Sequence, residues 1–255
     1  MTVKELYREL CKKIPSELSC PWDNDGLMCC PDGNREVRKV LVTLDVTADA
    51  AERAIEGEFD LIVSHHPFIF KGLKAVDEDN FIAAKAIELI KKEISVMSFH
   101  TRLDAVDGGV NDTLAELLGL KNVTPMVSGD EAIGRVGELD GGMSLSALCE
   151  KVKQVTGAPF VLCADAGLEP KRIALLGGEG GDDIRAAVAA GADTYISGRL
   201  GYHNMTDAAD MGINLIEGGH FYTEFPVCSV LAKMLKDVDG NIETEVYFSN
   251  RIKAV

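Results

Sequence analysis

The sequence predicts an α/β protein made of two similar three-layer halves with mostly parallel sheets. Three observations carry this expectation. Short apolar runs of strand length alternate with longer runs at helical spacing, the order of a parallel sheet with helices on its faces. Residues 40–67 can be set against residues 173–200 at a constant offset without a gap, so that strand falls on strand and helix on helix. Three predicted strands end at histidines, so the chemistry-bearing residues collect where open α/β sheets bind ligands.

The elements follow in order. Residues 3–14 alternate charged and apolar side chains at helical spacing. Residues 40–44 (Val-Leu-Val-Thr-Leu) read as a short buried strand. Residues 47–57 read as a helix, with Thr47 or Asp49 available as its cap. Residues 61–63 form the next strand, which stops at the paired histidines. Residues 80–92 form a glycine-free helix and 94–99 a strand ending at His100. Residues 111–118 form a helix stopped by Gly119. In the second half, strands at 173–176 and 194–196 flank a helix at 182–190, and a further helix and strand lead to His220. In the self-alignment Ala54 meets Ala187, Asp60 meets Asp193 and Ser64 meets Ser197. Residues 121–170 carry seven glycines, no histidine and one clear helix (145–156), and read as structural. A helix at 224–235, with Glu224 at its N-terminus, and a strand at 243–248 close the chain. The halves are placed at 1–125 and 126–255, with the C-terminal segment packing back on the first.

The chain has 255 residues, 46 % hydrophobic and 26 % charged, an ordinary globular composition. No apolar run nears the roughly 20 residues needed to span a bilayer, and the N-terminus lacks the apolar core of a secretion signal. A net charge of −15 disfavours general nucleic-acid binding. Seven cysteines without a C-x-x-C indicate reduced thiols in a cytoplasmic protein. Cys29-Cys30 reads as small apolar residues near a turn, or as a soft-metal pair.

Four of the five histidines lie in Ser64-His65-His66-Pro67, His100-Thr101-Arg102-Leu103-Asp104 and His220-Phe221-Tyr222-Thr223-Glu224. Imidazole and carboxylate together suit a divalent cation, and a carboxylate four residues beyond a histidine can reach the same centre over one helical turn. Adjacent strand residues face opposite ways, so His65 and His66 could serve two different metals only if the strand ends and the backbone turns there, as Pro67 permits. The alternative for each histidine is a hydrogen-bonded residue at a strand end. The run Gly177-Gly178-Glu179-Gly180-Gly181 lies where a phosphate loop would, or is a turn that lets strand and helix pack closely. It has no Lys-Ser/Thr ending.

With Trp22-Asp23-Asn24-Asp25-Gly26-Leu27, Leu44-Asp45-Val46-Thr47 and Gly108-Gly109-Val110-Asn111-Asp112, these motifs resemble the NIF-three-like dinuclear-metal proteins, often labelled GTP cyclohydrolase 1 type 2 homologues. The resemblance covers nearly the whole chain. It implies a toroidal homohexamer with two divalent metal ions per subunit (Zn, Mn, Fe, Co or Ni). It places His65, His66, Asp104, His220 and Glu224 as ligands and His100 beside the metals, in the second shell or in proton transfer. The His-x-x-x-Asp and His-x-x-x-Glu runs are taken as corresponding positions of the two halves. Arg102 and Arg199 depart from the family pattern and add positive charge that could select an anionic small-molecule substrate. The resulting expectation is a metal-dependent hydrolase of cyclohydrolase, amidohydrolase or phosphoesterase type. The alternatives are a non-enzymatic scaffold, assembly factor or metal chaperone, and a protein whose metals are structural.

Overall fold

Helix α1 (Val3–Lys13) starts from a reciprocal cap: Thr2 Oγ1 accepts from Glu5 N, and Thr2 N donates to the Glu5 carboxylate. Its apolar stripe buries Val3, Leu6 and Leu10. There follow β1 (Gly26–Cys29), β2 (Lys39–Thr43), α2 (Ala48–Glu56), β3 (Leu61–Ser64), α3 (Phe81–Lys91), β4 (Ser95–Ser98) and the five-residue α4 (Thr101–Ala105). Strands β2, β3 and β4 are mutually parallel, and β1 closes the edge antiparallel to β4. Every residue of β3 and β4 is buried, as expected of strands covered on both faces. On one face Leu41, Ile62 and Val96 pack against Ala50 and Ala54 of α2 and Ala86 and Leu89 of α3.

The computed structural model describes residues 1–253. They fall into two units, Met1–Val106 with Cys228–Lys253, and Asp107–Val227. The second unit contains α5 (Val110–Leu117), β5 (Lys121–Ser128), β6 (Glu131–Glu138), α6 (Leu145–Thr156), β7 (Leu162–Ala164), β8 (Arg172–Glu179), α7 (Ile184–Ala189), β9 (Thr194–Arg199), α8 (Tyr202–Met211), β10 (Asn214–Glu217) and the five-residue α9 (His220–Glu224). Its sheet runs β5-β6-β8-β9-β10-β7. The parallel trio β8, β9 and β10 matches the expected architecture. The hairpin β5–β6 and the edge strand β7 are antiparallel additions. They come from the glycine-rich segment, whose exposed, irregular strand residues hide the period-two pattern.

The chain then returns to the first unit. Helix α10 (Val227–Val238) leads to β11 (Glu243–Tyr247), which pairs parallel with β2 and completes the order β1-β4-β3-β2-β11. Arg53 of α2 holds β11 through a two-pronged ion pair with Glu245, at 2.6 and 2.8 Å. The helix expected at 224–235 begins instead at Val227, as α10; Glu224 ends the preceding α9, and Pro226, which lacks an N–H, lies in the break between them.

The two units repeat one another in detail. Val40 pairs with Leu61 and Thr43 with Ser64, while Ile173 pairs with Thr194 and Leu176 with Ser197, the same register at the alignment's own offset. Asp60 accepts from the backbone amides of Arg38 and Lys39, at 2.9 and 3.0 Å. Asp193 accepts from those of Lys171 and Arg172, the aligned positions, at 3.0 and 2.8 Å. No helix among the described residues is long and apolar enough to cross a membrane.

Candidate metal centre

In the first unit, β3 ends at Ser64, whose hydroxyl donates to the His66 carbonyl at 2.8 Å and fixes the turn before Pro67. His65 and His66 therefore leave the strand alternation, and their ring centroids lie 5.0 Å apart. His100 caps α4 at the end of β4, with its ring 5.4 Å from His65 and 5.7 Å from His66. One ligand-capable atom from each of these three residues falls within 4.8 Å of the others. Asp104, one turn into α4, is buried and places Oδ1 3.8 Å from His65 Nε2.

Each of these imidazoles is held from behind. His65 Nδ1 lies 2.9 Å from the Phe99 carbonyl oxygen. A carbonyl only accepts, so Nδ1 carries the proton and Nε2 the lone pair. His66 Nδ1 donates to Asp45 at 2.7 Å and His100 Nδ1 to Asp23 at 2.8 Å. This is the arrangement by which proteins orient metal-binding histidines and raise their basicity. Asp23 also accepts from Thr101 N and Oγ1. Burial pushes the Asp23 carboxyl up, but hydrogen bonds from His100 and Thr101 outweigh it and hold the group far below the usual carboxylate range. Asp25 accepts from His100 N and from Arg102 Nε, at 3.0 and 2.9 Å. Sequence motifs contain Asp23, Asp25 and Asp45, but spacing alone gives them no role, because their partners are remote in sequence.

Arg102 does not add charge to a substrate site. It is fully buried, paired with Asp25, bonded to the Ile14 carbonyl and stacked on Phe99 at 4.7 Å. Arg199 is exposed and 3.5 Å from Glu179. It lines a cleft of about 690 Å³ with Tyr202, Cys163 and His220. His203 is exposed, with its ring against Tyr202. Cys228 is buried, and none of the metal-capable groups among the described residues includes a cysteine.

In the second unit, α9 carries His220 on its first residue and Glu224 on its last, with Nε2 and Oε2 3.2 Å apart. Glu224 is thus not at a helix N-terminus, and helix-dipole stabilisation of its charge does not apply. The pair rests on glycine. A Cβ built on Gly178 would overlap the Glu224 carboxylate and stand 3.2 Å from His220 Nε2, and one on Gly198 would meet the His220 Cα at 2.7 Å. Gly177 N and Gly178 N donate to Asn111 Oδ1 and Thr223 Oγ1, at 2.8 and 3.1 Å. Those amides are engaged by the protein itself, so the glycine run is a close-packing turn and not a phosphate cradle.

The repeat also corrects the pairing of the two histidine motifs. Ser64 O accepts from Phe99 N, and Ser197 O from Gly218 N. His100 therefore corresponds to Gly219, the cap of α9, and Thr101 to His220. The motifs stand one residue out of step, with one histidine before its helix and the other on it.

A model of the Duf34/NIF3 (NGG1p interacting factor 3) family matches residues 1–254. The chain is 34 % identical over 244 residues to a GTP cyclohydrolase 1 type 2 homolog of Clostridium acetobutylicum, covering 92 % of this chain and 90 % of that one. It is 34 % identical over 248 residues to the Schizosaccharomyces pombe protein NIF3 homolog, covering 89 % and 88 %. Among solved structures, a Staphylococcus aureus hypothetical protein superposes with a TM-score of 0.90 at 26 % identity, over 100 % of this chain and 99 % of that one.

Proposed function

The chain belongs to the Duf34/NIF3 family, and from that premise we propose that it binds two divalent ions through His65, His66, Asp104, His220 and Glu224 and acts as a metal-dependent hydrolase. The observation that carries this reading is the anchoring of the histidines. Nδ1 of His65 and of His66 each meets a carbonyl or carboxylate, which supports Nε2 as the ligand atom. The donor set of imidazole and carboxylate fits Zn, Mn, Fe, Co or Ni. Such ions would supply Lewis acidity, activating water and polarising a substrate oxygen.

The chain's own residues do the rest. Asp45 and the Phe99 carbonyl fix the rings of His66 and His65. His100, held by Asp23 and flanked by the exposed Trp22 and Phe70, moves protons beside the ligands. The substrate is a small anionic molecule with a hydrolysable carbonyl, amidine or phosphoryl group. Opening of the purine ring of GTP is the version that the relatives' names support.

Metal analysis of the purified protein is expected to give about two first-row ions per chain, reduced by Glu224→Ala. A panel of GTP, phosphoesters and cyclic amides should then show metal-dependent turnover that His100→Ala lowers while metal content stays. Metal-free native protein would sink the proposal. Loss of metal in His100→Ala would make that residue a ligand. The family's description as an interacting factor favours a second reading, a non-enzymatic metal-binding scaffold. A metal-loaded protein inert to the whole panel would support it. In either case the assembly proposed is a cytoplasmic homohexamer, with a native mass near six times 27.4 kDa by light scattering.

A further inference from the structure

Helix α3 brings Lys85 into a cleft of about 480 Å³ in the first unit, bordered by α2 and by the His66–Pro67 turn. That volume is within the range of small-molecule sites. Lys85 is half-buried. Its ammonium donates to the Val46 carbonyl and lies 5.4 Å from the Phe68 ring centroid and 5.8 Å from that of Phe81. The other charges of the cleft are already engaged. Asp45 holds His66 Nδ1, and Arg251 is paired with Asp49. Among the described residues no carboxylate forms an ion pair with Lys85. Burial pushes its ammonium below the ordinary lysine value, with the nearby Asp45 opposing. A cation held half out of water without a counter-ion is costly, and an anion in the cleft would remove that cost.

We propose that this cleft binds an oxyanion, carboxylate or phosphate, at one end of the molecule processed at His66, with Lys85 as its counter-ion and Phe68 and Phe81 as its walls. The assignment rests on the hydrolase reading for the identity of that molecule, but the anion site itself can be tested without metal. In chelated protein, equilibrium dialysis with labelled inorganic phosphate, and separately with succinate, should show saturable binding of at least one. The bound anion should slow modification of Lys85 by an amine-specific reagent, read by peptide mass spectrometry. Lys85→Met should weaken binding roughly tenfold or more, and Lys85→Arg should restore most of it. Because Lys85→Met removes an unpaired charge, its melting temperature should equal or exceed that of the wild type. Phosphate binding alone identifies a phosphoryl group, and succinate binding alone a carboxylate. No binding of either anion, or equal binding by Lys85→Met, overturns the proposal. If metal is absent while the anion binds, the hydrolase reading fails and the cleft stands. If metal is present and the anion does not bind, the reverse holds.

Discussion

Asp23 shows how a residue outside the proposed ligand set can decide the behaviour of one beside it. Its carboxylate takes His100 Nδ1, Thr101 N and Thr101 Oγ1, and it is fully buried. Its folded-state pKa is depressed, so its contribution to stability is complete above the unfolded value of about 4 and is lost as pH falls through the folded one. Asp23→Asn should therefore cost about 1–3 kcal/mol at pH 7 in metal-free protein, with the gap closing below about pH 4. Urea unfolding of both proteins at pH 7, 5 and 3 measures this. A gap independent of pH would mean that Asp23 is not held as a carboxylate. Gly178 makes the opposite point, since what matters there is the missing side chain. It aligns with Asp45 of the first unit, as Gly198 aligns with His65. Where one unit places the side chains of Asp45 and His65, the other has emptied the space for His220 and Glu224.

At the scale of elements, α3 combines a local signal with a remote one. Asn80, read from the sequence as the first helical residue, is in fact its cap, accepting from Ile82 N and Ala83 N at 2.9 and 3.1 Å. Asn80→Ala should destabilise the protein by about 1 kcal/mol in urea melts without altering metal content. What no helix signal foretells is that Lys85 of the same helix lies between two phenylalanines beside His66, because that depends on the packing of distant segments. The same division runs through the fold. The β2-α2-β3 grammar and its copy were legible because buried parallel strands are continuous apolar runs and their helices are periodic. The hairpin β5–β6 was not legible, since β5 is mostly exposed, the buried stretch of β6 is a glycine-flanked Arg-Val, and pairing rather than pattern holds them. The break at Pro226 was legible in principle, and passing a helix over it put Glu224 at the wrong helix end. In the candidate centre, the histidines and carboxylates were visible in short motifs. The burial of Arg102 was not, because its partners Asp25, Tyr7 and Ile14 are far away in sequence.

For the whole molecule, the duplication joins a strict rule to a loose one. Strand register and the aspartate that straps the first strand are preserved in both units, since either change would misplace a sheet. The strand-end loops have diverged until their histidine motifs are one residue out of step. Chain order adds a further asymmetry. The second unit is continuous in sequence, whereas the first lacks an edge strand until β11 arrives some 200 residues after β2. Closing so long a loop is slow relative to local pairing. Pulse-labelled hydrogen exchange during refolding should find amides of β8, β9 and β10 protected before those of β11, and simultaneous protection would contradict this. During synthesis the same arrangement inverts the usual order, in which the N-terminal part folds first. While the ribosome makes the middle of the chain, the apolar edge of β2 stands open to any passing strand. The nascent protein is therefore most prone to aggregate until β11 emerges to cover that edge, and a chaperone that shields strand edges would matter most to it then.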